Sequence, residues 1–293
     1  MAITTPIMFF KPAVILAAVA SFSSVHAAPT NATSTRNAAA RAATWETHFG
    51  LTSSEFRDVS REIVADGLRL TYVSGYTDSR NRVLYTGLWE RRSGSWRSTH
   101  NEDSYDFQRS FDRARDDGYR PILVNGYTVD SRARYEAIYD TSRSRGWEFR
   151  RDLSARGMQD AFDTLTDRGY RIVHINGYEV GREARYSGIW ERGSDVAWES
   201  RFGLTSSQYQ RTTEDLRNRG YRPVQVDGYT VNGNTYFAAI WDQSRATWES
   251  RHDMTPQQYQ RELDTMTQNG FALKVVSGYP TRDGERFAAI WER

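Results

Sequence analysis

Phe49-Gly50-Leu51-Thr52-Ser53-Ser54 recurs residue for residue as Phe202-Gly203-Leu204-Thr205-Ser206-Ser207. The same spacing runs through the rest of the chain. Trp45, Trp96, Trp147, Trp198 and Trp248 stand 51, 51, 51 and 50 residues apart. A second series is Trp89, Tyr139, Trp190, Trp241 and Trp291, and the two series hold all nine tryptophans. Between them come Gly67, Gly118, Gly169, Gly220 and Gly270, each followed by a Gly-Tyr pair: Gly75-Tyr76, Gly126-Tyr127, Gly177-Tyr178, Gly228-Tyr229 and Gly278-Tyr279. A fixed period of this kind is the signature of a repeat architecture. The expected units are 45–95, 96–146, 147–197, 198–247 and 248–293.

Each unit reads as one helix and about three strands. Thr52-Ser53-Ser54-Glu55 is a capping box, in which the hydroxyl and the carboxylate satisfy free amide donors. Thr205 to Gln208 repeats it, and Thr255-Pro256 puts proline at the first helical position. Apolar residues at helical spacing follow, such as Phe107, Phe111 and Ala114. The first glycine series then ends each helix in a left-handed residue. After it come two strands around the Gly-Tyr pair and a polar turn. The second alternates an aromatic, a small residue and Trp on one face with Leu88, Ile138, Ile189, Ile240 and Ile290 on the other. A further strand starts at the first-series Trp. The fold class expected is α+β: a curved antiparallel sheet, an open half-barrel, with helices on its outer face. A five-bladed propeller is the competing architecture, disfavoured because every unit carries a capped helix.

The composition, 38% hydrophobic and 26% charged, is that of a globular chain. A formal net charge of +2 points to neither nucleic acid nor an anionic membrane as partner. Of 39 basic residues only Lys11 and Lys274 are lysine, and arginine suits planar pairing with carboxylates and aromatic rings. Residues 1–27 have the form of a signal peptide: Lys11, a short apolar run from Ala13 to Phe22, then Val25-His26-Ala27. Residues 28–44 read as a flexible leader containing a glycosylation sequon at Asn31. A secreted protein is therefore expected. With no cysteine, thiol catalysis and disulfides are excluded.

The units resemble a tandem repeat of bacterial proteins and of the N-terminal half of fungal polyglycine hydrolases. Leu-Thr-Ser-Ser at the helix start, Gly220-Tyr221-Arg222, the Gly-Tyr pair and Ala288 to Glu292 carry the likeness. The resemblance implies an open half-barrel of antiparallel strands with helices outside. In those hydrolases a β-lactamase-like domain with a catalytic serine follows the repeats. Its Ser-x-x-Lys has no counterpart here, since Met8 and Phe271 stand three residues before the two lysines. What the resemblance implies is an accessory or binding half, not a peptidase.

Residues present in every unit read as fold determinants, and variable ones at a fixed position as candidates for function. The second-series aromatics read as core rather than as sugar platforms. The acid after each (Glu90, Asp140, Glu191, Asp242, Glu292) and the basic series Arg69, Arg120, Arg171 and Arg222 read as structural ion partners, with Ala272 breaking the series. His48, His100, His174 and His252 show no metal-ligand spacing, and no cofactor motif occurs. The variable row Tyr72, Leu123, His174, Gln225 and Val275 is expected to line a shallow ligand-binding groove on the concave side. The function expected is a secreted non-catalytic binding module for an extracellular protein or cell-wall polysaccharide. The alternative is an accessory half of a serine-hydrolase system.

Overall fold

A computed structural model describes residues 25–27, 44–193 and 196–293. The expected signal peptide and leader, with Asn31, lie outside the described residues except for Val25–Ala27. These form a short strand, β1, parallel to the outer edge of unit one, with Val25 opposite Thr47.

Unit one consists of β2 (Trp45–Leu51), α1 (Ser53–Ala65), β3 (Arg69–Thr77) and β4 (Val83–Glu90). Unit two repeats the order as β5 (Trp96–Glu102), α2 (Ser104–Asp116), β6 (Arg120–Val129) and β7 (Arg132–Asp140). Unit three has β8 (Trp147–Leu153), α3 (Ala155–Asp167), β9 (Tyr170–Val180) and β10 (Glu183–Arg192). Unit four has β11 (Trp198–Leu204), α4 (Ser206–Asn218), β12 (Arg222–Val231) and β13 (Asn234–Asp242). Unit five has β14 (Trp248–Met254), α5 (Pro256–Gln268), β15 (Ala272–Thr281) and β16 (Gly284–Glu292).

The local signals act as the sequence predicts. Thr52, Thr205 and Thr255 cap their helices in complete capping boxes, and Ser154 and Asp103 cap the other two. The glycine after each helix has φ between +78° and +86°, a conformation that costs a side chain-bearing residue about 1 kcal/mol or more. The first aromatic and the Trp of the last strand face the helix: Phe56 lies 5.2 Å from Tyr85 and 5.6 Å from Trp89, centre to centre. Trp89, Trp190, Trp241 and Trp291 are completely buried, so the second series is core. Truncating such a Trp costs about 3–5 kcal/mol.

Each unit is an antiparallel three-stranded sheet whose last strand lies in the middle, as in β2-β4-β3, and the sheets do not close into a barrel. The structure departs from the expected single curved sheet in one respect. Among the described residues no backbone ladder joins one unit to the next; there are five separate sheets. The inner strands β3, β6, β9, β12 and β15, the second of each unit, lie side by side around a common axis, and β15 lies against β3. The units thus form a ring held by side chains.

Three sets of contacts hold each junction, the one between units five and one included. First, the Tyr of the Gly-Tyr pair lies over the Gly of the preceding unit: a Cβ on Gly177 would sit 2.5 Å from Tyr229, and one on Gly278 2.5 Å from Tyr76. The same Tyr meets edge to face the aromatic that stands four residues before the last aromatic of the preceding unit's last strand. The five pairs lie between 5.5 Å (Phe237–Tyr279) and 6.1 Å (Tyr85–Tyr127), and Phe287–Tyr76 at 5.6 Å closes the ring. Second, each helix is wedged against the next unit's outer strand, as in Phe162–Trp198 at 5.7 Å and, closing the ring, Tyr259–Phe49 at 5.0 Å. Third, the basic series pairs with the acid of the next unit. Arg69 reaches Asp140 at 3.4 Å, Arg171 lies 4.0 Å from Asp242, and Arg120 and Arg222 bond Glu191 and Glu292. Unit five lacks the arginine, and Lys274 takes its place with Glu90 at 3.0 Å.

Ring closure has a direct test. Gly177→Ala and Gly278→Ala should each destabilise the protein by about 1–3 kcal/mol in chemical denaturation, because overpacking forces a tyrosine aside. A neutral Gly278→Ala beside a costly Gly177→Ala would mean that units five and one do not meet.

Candidate functional site

With their edges turned to the axis, the inner strands expose backbone amides that no neighbouring strand pairs. The residue before each Gly-Tyr pair supplies the acceptor from the next unit. Gly126 N–H donates to Asn176 Oδ1 (2.6 Å), Gly177 N–H to Asp227 Oδ2 (2.8 Å), Gly228 N–H to Ser277 Oγ (3.0 Å) and Gly278 N–H to Ser74 Oγ (3.0 Å). At the first junction Asn125 turns to donate to Val73 O (2.6 Å), and Glu136, its cross-strand neighbour, accepts from Gly75 N–H at 2.6 Å. Buried backbone donors need such partners, since each orphan costs about 1–3 kcal/mol.

Above this ring of bonds opens an axial cup of about 420 Å³. All five Gly-Tyr segments contribute to it, with a rim from Asn81, Asp130 and Ser131. The rim is stitched between units: Asn81 Nδ2 donates to Asp130 Oδ1 (2.6 Å), Thr128 Oγ1 to Glu179 O (2.6 Å), and Asn232 N–H to Glu179 Oε2 (2.6 Å). Apart from tyrosines, the ionisable side chains lining the cup are Asp130, Glu179 and Asp227, all acidic.

Two carboxyl groups are buried at the cup floor. Burial pushes Glu136 up to about 8 and Asp227 up to about 7, each partly offset by its backbone and amide donors. Asp227 also accepts from Asn176 Nδ2 at 3.1 Å and Ser277 Oγ at 3.2 Å. Both carboxylates raise the hydroxyl of buried Tyr72 still further. Neither group was singled out from the sequence. The usable signal was present: at the position before Gly-Tyr the series reads Ser74, Asn125, Asn176, Asp227, Ser277, hydrogen-bonding residues in every unit.

The row expected to line a groove lies one pleat below the cup. Tyr72, Leu123, His174, Gln225 and Val275 are all buried, with 2–6% of their surface exposed. The structure brings some of them together: Gln225 Nε2 donates to Tyr72 Oη at 3.3 Å and to Ile175 O at 3.1 Å. His174 Nε2 faces Val124 O at 3.1 Å and Asn125 Oδ1 at 3.0 Å, and burial lowers its pKa to about 4. The expected open groove at this row is therefore corrected. The ring closes around the axis, and these side chains fill it. The first-series Trp residues are likewise packed in part, with Arg217 lying 4.2 Å over Trp248.

Each of the five units matches the family model described as polyglycine hydrolase-like, structural repeat, over residues 42–92, 93–142, 144–193, 195–244 and 245–293. No curated protein matches the chain.

The buried carboxyls give stability a pH dependence of defined sign. Their folded pKa values exceed the unfolded ones of about 4, so the folded state holds more protons between the two. Stability is full below the unfolded value and falls as pH rises through about 7 to 8. The buried histidine acts oppositely, but only below about pH 6.5. Wild-type protein should lose about 2–3 kcal/mol of unfolding free energy between roughly pH 6.5 and 8.5. Glu136→Gln, which keeps an acceptor for Gly75, should flatten that fall in denaturation curves; an unaltered slope would remove Glu136 as its source.

Proposed function

The chain belongs to the polyglycine hydrolase-like structural repeat family, and on that premise we propose that it is a secreted, non-catalytic binding module. It engages an extracellular protein or cell-wall polymer by seating a neutral or cationic group in the axial cup. The observation that carries this reading is the cup itself, one concave site drawn from all five units with an acidic lining. Equivalent backbone segments with unlike side chains turn a repeated fold into a single asymmetric pocket, the setting in which small groups are recognised. The carboxylates that could serve as acid or base are instead engaged with Gly75 and Gly177 amides, which suits a structural role.

The family description also favours a second reading, in which the module serves a separately encoded hydrolase as its accessory half. Retention of secreted host proteins and of insoluble wall polymers on immobilised protein distinguishes the two, since the second requires a hydrolase among the retained proteins. Glu179→Arg, placing a cation in the cup, should weaken retention at least tenfold with only the small fall in thermal midpoint that the lost Asn232 N–H bond brings. Unchanged retention by that variant would take the cup out of the interaction.

A further inference from the structure

The five helix-to-sheet wedges are not equivalent. Between α4 and β14 the guanidinium of Arg217 lies 4.2 Å over the ring of Trp248. Between α2 and β8, Phe111 packs on both Trp147 (6.1 Å) and Phe149 (5.0 Å), and Arg115 stands at the position of Arg217. Between α3 and β11 the corresponding residue is Thr166, too short to reach across. Here a cleft of about 930 Å³ opens, with Trp198 and Phe162 on its wall.

The charged and amide groups of this cleft are all planar, and Thr166 and Ser200 add hydroxyls. Asp163 and Gln159 stand one helical turn apart and are joined by a 2.8 Å hydrogen bond. Opposite them Glu199 is fixed by Arg201 at 2.8 Å and by Arg219 at 3.3 Å. Planar carboxylate, amide and guanidinium groups, held by one another beside a half-buried indole, are the set that recognises a ring bearing equatorial hydroxyls. The hydroxyls meet the planar groups in bidentate fashion, and the apolar C–H face of the ring lies on the aromatic. Acids outnumber bases in the lining, which disfavours an anionic sugar.

We propose that the cleft between α3 and β11 is a saccharide-binding site for a neutral pyranose chain, separate from the axial cup. Thr166 leaves open the space that Arg217 fills at the next wedge; Thr267 holds the same position on α5, but the outer-strand tryptophan of that wedge, Trp45, is buried. The proposal stands independently of the cup, because the two sites share no lining residue.

The test uses calorimetric titration with chitohexaose, cellohexaose and laminarihexaose. Thr166→Arg rebuilds the arginine-over-tryptophan contact of the neighbouring wedge and so should fold with an unchanged thermal midpoint. Asp163→Asn keeps the shape and removes one charged acceptor on an exposed turn. The expected result is binding of at least one hexasaccharide by wild type, weakened at least tenfold by Thr166→Arg and several-fold by Asp163→Asn, with Glu179→Arg leaving it unaltered. Failure of wild type to bind any of the three at millimolar concentration overturns the proposal. So does equal binding by wild type and both cleft variants, and a loss confined to Glu179→Arg assigns the sugar to the cup instead.

Discussion

The contact on which this architecture depends is a tyrosine ring laid over a glycine of the preceding unit. The glycine is there because of what lies against it: at all five junctions an added Cβ would come within 2.3–2.7 Å of a tyrosine ring carbon. Once seated, the tyrosine meets an aromatic edge to face and extends its hydroxyl to the bulge of its own outer strand, where Asp253 N–H donates to Tyr279 at 2.9 Å. That bulge carries Gly50, Asn101, Asp152, Gly203 and Asp253 at φ between +56° and +70°, residue types that tolerate the left-handed region. One aromatic side chain thus sets the distance between units and locks the kink of its own sheet. Linear repeat arrays need atypical terminal units to cover exposed end faces. Here unit five supplies the face that unit one needs, and both keep the same Gly-Tyr pattern as the interior units.

Separate sheets would leave a row of unpaired amides at the axis if side chains did not replace the missing ladder. That requirement explains the hydrogen-bonding residue before each glycine and the substitution at the first junction. Asn125 faces two demands, Val73 O and His174 Nε2, and Glu136 takes over the glycine amide. The exchange places a carboxyl where water cannot solvate it, close to a second at Asp227. Burial of charge is tolerated because each group neutralises itself by holding its proton to higher pH. The core therefore gains a titration that the neutral Ser and Asn junctions lack.

Local features were legible in the sequence because they are written within one unit: the caps at Thr52 and Thr255, the left-handed glycines, the buried Trp face and the arginine-to-acid pairs. Closure was not. An open stack and a ring share the same period, and what separates them is contact between residues about 200 positions apart, such as Tyr76 on Gly278. The tell-tale substitution was Lys274, two residues beyond the Ala272 that interrupts the arginine series, and its meaning needs Glu90 beside it. The row from Tyr72 to Val275 is variable, but variability in a closed ring also arises from five unlike side chains sharing one axis. Alternation fixes the face of a strand, not what that face meets.

A ring of this kind distributes novelty in two ways. At the axis every unit contributes to one site, so a change in any unit alters the same pocket, and the pocket tolerates little because the amide acceptors sit in its floor. At the periphery each wedge belongs to one helix and one neighbouring sheet, so a substitution there acts alone. The cleft beside Thr166 opens without touching the Gly-Tyr contact, since the wedge lies on the outer strand and that contact on the inner one. Constraint is concentrated at the axis and relaxed at the rim. A repeat chain of this family is therefore freest to acquire a second ligand at a single wedge, where a change leaves the inner-strand contacts of the ring in place.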